Sequence, residues 1–125
     1  MSAPKQITID DNVYVLKSEI SNQKISTEGL QHVIIRTFSA GVHMGFLKKK
    51  EYTLAGTIVE LVSTRRIWYW AGAMSLSQLA LEGTSKPNDC KFSVELPSIE
   101  LTAIEIIPTN EMSFKNLTSV KIWKQ

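Results

Sequence analysis

Between residues 31 and 107 apolar side chains keep returning at every second position, in short runs separated by only a few turn residues. That alternation is the period of a β-strand. Short connections allow only antiparallel neighbours, because a parallel pair needs a crossover of about a dozen residues or more. In HVIIRTF, Val33 and Ile35 share a face, and Ser39-Ala40-Gly41 forms a turn. VHMGFLKKKEYTL sets Val42, Met44 and Phe46 against His43, Gly45 and Leu47. Ala55-Gly56 then reverses the chain into TIVELVS, a strand that precedes RRIWYW. As a strand, RRIWYW puts Arg66, Trp68 and Trp70 on one side and Arg65, Ile67 and Tyr69 on the other. KFSVEL is expected to point Phe92, Val94 and Leu96 inward, with Pro97-Ser98 interrupting it. In IELTAIEII the apolar phase shifts from Ile99 and Leu101 to Ile104 and Ile106, as a bulge near Thr102-Ala103 would produce. Val120 to Trp123 reads as a last strand.

Only two short helical patterns accompany these strands. Ser75 is placed to cap the first, with Gln78 completing a capping box, while Gly83 and Pro87 stop it. Gly72 supplies the tight turn between RRIWYW and this helix. Leu76, Leu79 and Ala80 form one apolar side, whereas Met74 and Leu81 lie roughly opposite. Two apolar sides call for two covers, of which the second is either a partner subunit or other parts of the same chain. The second pattern is EMSFKNL, capped by Thr109 or Asn110 and packing by Phe114 and Leu117. The expected fold is α+β: a strongly curved, mainly antiparallel sheet with one or two short packed helices.

At 125 residues the chain has room for one core. Residues 1–16 read as a β-hairpin appendage, 17–30 as a polar linker, and 31–125 as the single α+β domain. A net charge of +2, with no basic stripe, does not argue for nucleic-acid binding. Lys48-Lys49-Lys50 fits a solvated hairpin end. Cys90 is the only cysteine and His32 and His43 the only histidines, so a metal site within one chain is not expected and no cofactor is implied. Neither a membrane span nor a signal peptide is expected, which points to the cytosol. Asn116-Leu117-Thr118 matches a glycosylation sequon by chance.

The chemistry concentrates in RRIWYWAGAMSLSQLALEG, residues 65–83. Arginine forks onto phosphate or carboxylate, and indoles stack on flat rings. Ser75 and Ser77 present hydroxyls at a helix N-terminus. The candidate ligand-binding residues are therefore Arg65, Arg66, Trp68, Trp70, Ser75 and Gln78. The competing reading has both tryptophans in the core, the arginines at its rim, and Gln78 spent on the cap. No base stands beside a serine in sequence, and Asp89, Glu95, Glu100 and Glu105 are too scattered for a catalytic pair, so an enzyme is not expected.

The same stretch, with VIIRTFSAGVHMGFL before it and CKFSVELPSIELTAIEIIP after it, resembles a family of small bacteriophage and prophage proteins of unknown function. The similarity spans roughly residues 30–123, and the sequence departs from the commoner pattern with Thr64 before the arginines. The resemblance implies a phage origin and a host-cytosol setting. By analogy with phage proteins that sequester host signals, the expectation is an oligomeric sponge for nucleotide-type immune signals. The alternative is a module that docks on a host or phage protein through the Trp/Arg-rich stretch.

Overall fold

The computed structural model describes residues 29–124. The hairpin expected over 1–16, and all but the end of the linker over 17–30, lie outside the described residues. Five strands follow: β1 (Gln31–Thr37), β2 (Val42–Thr53), β3 (Gly56–Tyr69), β4 (Lys91–Phe92) and β5 (Leu96–Pro108). Helix α1 (Leu76–Glu82) lies between β3 and β4, and α2 (Glu111–Thr118) follows β5. All strand pairs are antiparallel, in the order β2-β1-β5-β3-β4, and β2 also pairs with β3. The pairings β1–β2, β2–β3, β3–β5 and β5–β1 thus run round a closed ring. The expected curved, antiparallel α+β fold is what the chain adopts.

At β1 both faces of the ring are covered, which is why that strand is apolar almost throughout. Val33 and Ile35 pack on one face with Val59, Leu61, Leu101 and Ala103. Ile34 turns to the other, where Met44, Ile67 and Phe92 meet Leu76, Leu79 and Ala80 of α1 and Leu117 of α2. Ser75 caps α1 by accepting from the Gln78 N–H, and Gly83 ends it at φ 79°. The expected capping box is not completed, since the Gln78 Oε1 accepts from the N–H of Met74 rather than that of Ser75. The full box stands at α2 instead, where Asn110 and Ser113 bond reciprocally.

Several expected boundaries move. TIVELVS and RRIWYW, all but Trp70, are one strand, β3, carried through by a bulge: Phe46 faces Val62 and Met44 faces Arg65, so Ser63 and Thr64 together oppose Gly45. Pro97 does not break β5, because it falls between the pairs Val62↔Ser98 and Thr64↔Leu96, opposite the bulged Ser63. KFSVEL shrinks to two paired residues. Beyond Phe92, Ser93 bonds Arg66 through both its N–H and its Oγ, and Val94 and Leu96 are exposed rather than inward. The bulge foreseen near Thr102-Ala103 lies one residue on: Arg36 pairs Glu105 and Thr37 pairs Ala103, leaving Ile104 over. The last strand reduces to a single parallel bridge, Phe92↔Ile122.

Candidate functional site

The bulge at Ser63 decides which way the two arginines point. Each inserted residue inverts the facing of all that follow it. Arg65 is thereby set opposite Met44 on the helix-side face, while Arg66 pairs with His43. Arg65 is only 6% exposed. Its Nε donates to the Ser93 carbonyl at 2.8 Å, one Nη to the Val120 carbonyl at 2.8 Å, and the other to the Lys121 carbonyl at 3.4 Å. The guanidinium lies 5.3 Å from the Phe92 ring centre. All these partners are neutral. Among the described residues the ion pairs are Arg36–Glu105 and Lys115–Glu111, so no carboxylate lies within bonding range of Arg65. Burial pulls its pKa down, and the more distant Glu95 carboxylate partly offsets that. A guanidinium has five N–H groups, of which these bonds use three.

Arg65 lines a cleft of about 550 Å³ between the sheet, α2 and the C-terminal segment. His32, Phe46 and Phe114 form one wall, packed edge to face with centroids 5.1, 4.8 and 5.5 Å apart. His32 is buried, and burial lowers its pKa to about 4, so the ring is neutral at pH 7. Its Nδ1 bonds the Thr109 hydroxyl at 2.7 Å; its Nε2 has no hydrogen-bond partner among the described residues. Ser63 also lines the cleft, and Lys121 and Glu95, both exposed, stand on its rim.

The six residues singled out from sequence are dispersed. Arg65 is in the cleft. Arg66 lines a separate, shallow groove of about 220 Å³ with His43, Val94 and Leu96. Trp68, 62% exposed, stacks on Trp123 at 4.8 Å. Trp70 lies past the end of β3, half-buried against the helix-side core, so it does not share a face with Trp68. Ser75 and Gln78 are engaged at the start of α1, with Gln78 also donating to Glu82. Among the described residues no hydrogen bond or ring contact joins Ser75 or Gln78 to Arg65, Arg66 or Trp68. His32, Phe46, Phe114 and Lys121 were not singled out from sequence. His32 and Phe46 are cross-strand partners, a relation visible only once the register is known.

His43 is structural: it is buried and its Nε2 donates to the Ala40 carbonyl at 2.8 Å. Cys90 is a buried free thiol. Among the described residues no group of three His, Cys, Asp or Glu could hold a metal ion, and no helix is long and apolar enough to cross a membrane.

A family model for a domain of unknown function (DUF6948) matches residues 30–117. The chain belongs to this family. The matched span takes in the ring, α1 and nearly all of α2. It stops short of the segment from Val120 to Lys124 that closes the cleft and carries Trp123. No curated protein and no solved structure matches the chain.

Proposed function

We propose that the chain binds a small, anionic, nucleotide-type molecule in the cleft around Arg65. The observation that carries this reading is a buried guanidinium whose only direct partners are uncharged carbonyls. Away from water, a charge without a counter-charge is costly, and an anion entering the cleft relieves that cost. Two unspent N–H groups on a planar fork suit a phosphate or carboxylate. The His32–Phe46–Phe114 wall offers aromatic surface for a flat ring, and neutral His32 adds a hydrogen-bonding nitrogen without adding charge. About 550 Å³ falls within the usual range of ligand pockets.

In the phage setting implied by the sequence resemblance, such a protein acts as a sponge for host immune nucleotides in the host cytosol. It does so as a homo-oligomer. Met74 and Leu81, on the second apolar side of α1, are 92% and 60% exposed in the single chain, which leaves that side for a partner copy. No reaction is part of this reading. Native mass spectrometry of protein purified from infected cells tests it. The expected spectrum shows an oligomer carrying a phosphate-bearing small molecule in fixed stoichiometry. A ligand-free monomer would contradict both parts.

A further inference from the structure

Outside the cleft, Trp68, Tyr69, Lys91 and Trp123 build a second feature that ligand binding does not use. Trp68 and Tyr69, at the end of β3, are 62% and 53% exposed. Trp123 comes from the C-terminal segment and is fixed beside them by its N–H bond to the Phe92 carbonyl at 2.9 Å and by the neighbouring Phe92↔Ile122 bridge. The indoles stack with centroids 4.8 Å apart and planes 33° from parallel. The Lys91 ammonium lies over all three rings, 5.6 Å from Trp68, 5.9 Å from Tyr69 and 5.0 Å from Trp123. Exposed aromatics held rigid before any partner arrives are the usual anchors of an interface, since little side-chain freedom remains to be lost.

Lys91 puts a positive charge over this shelf, with Arg66 two positions before Trp68 and Lys124 directly after Trp123 in the chain. Lys121 and Glu95 belong to the cleft rim instead. Arg66, Lys91 and Lys124 belong to no ion pair among the described residues. We infer that the shelf is a docking surface for an acidic protein segment, whose carboxylates meet these cations while its apolar side chains pack on the indoles. A single-stranded nucleic acid fits less well. Stacked bases need open aromatic plates along a basic track. Here one face of each indole is turned to the other and Lys91 lies over both.

The inference is independent of the cleft and is tested on the full chain by tryptophan fluorescence and calorimetry. The titrants are a synthetic helical peptide rich in Glu and Leu, its counterpart with every Glu replaced by Gln, and oligo-dT. Binding of the acidic peptide is expected, weakening as salt is added. It should also weaken about tenfold in Trp68→Ala, as for an interface anchor, and similarly in Lys91→Gln. The Gln peptide should not bind. Trp68 is mostly solvent-exposed, so circular dichroism of Trp68→Ala should match wild type; if it does not, Lys91→Gln and Lys124→Glu decide the question. The inference is overturned if the acidic peptide does not bind, if it binds these variants as tightly as wild type, or if oligo-dT binds in its place.

Discussion

At Ser63 the backbone takes a φ of 50°, the only non-glycine among the described residues in the left-handed region. A side chain there costs about 1–2 kcal/mol relative to glycine. The bulge it supports turns Arg65 into the cleft, so the strain is tied to the site. Ser63→Gly should therefore raise stability by up to about 1 kcal/mol in urea unfolding, whereas Ser63→Ile should lower it by more than that. Gly45 is the other half of the arrangement. A Cβ there would meet the Thr64 Cβ at 3.0 Å and its Cα at 3.2 Å, and Thr64 is itself held by a bond to the Met44 carbonyl. Gly45→Ala should destabilise by about 1–3 kcal/mol on the same measurement. Nothing in the alternation of RRIWYW reveals this bulge. Sequence alternation did separate Arg65 and Ile67 from Arg66 and Trp68, but which set faced inward depended on a residue count that only pairing with β2 settles.

Among the elements, β1 was legible from a short apolar run that must be covered on both sides, and β2 and β5 from apolar residues returning at every second position. β4 was not: KFSVEL alternates equally well, yet Ser93 takes over the bonds of Arg66 and the ladder ends. The two helices were legible from their caps. Asn110→Ala should cost about 1 kcal/mol, since it removes the side chain that caps α2 and also donates to the Leu81 carbonyl of α1. His32 on β1 bonds Thr109, just before α2, and so couples this region to pH. Its pKa is about 4 in the fold against 6.5 in the unfolded chain. Between those values the unfolded chain takes up a proton that the folded chain does not, so folding stability falls as pH drops from 6.5 toward about 4. The loss from His32 alone is on the order of 3 kcal/mol. Urea unfolding across this window should show the decline, and His32→Gln should flatten it.

For the whole molecule, the closed ring places Arg65, the aromatic wall and the C-terminal segment around one cleft although they lie far apart in the chain. That is why the sequence names Arg65 only together with Arg66, Trp68 and Trp70, and does not reveal His32, Phe46 and Phe114 at all. Ser75 and Gln78 stand at the helix start that makes them candidates for an anion, and bonds within that first turn and to Glu82 occupy both. Calorimetric titration with a panel of cyclic and linear nucleotides tests the central claim most directly, using wild type, Lys121→Glu, Arg65→Lys and Arg66→Ala. The wild type should bind at least one nucleotide. Lys121→Glu reverses an exposed rim charge without touching the core, and Arg65→Lys keeps the charge but loses the fork; each should weaken binding about tenfold or more. Arg66→Ala should stay within about twofold of wild type, because Arg66 lines a different groove. Binding unchanged in Lys121→Glu and Arg65→Lys but lost in Arg66→Ala, or no binding by wild type across the panel, would contradict the account.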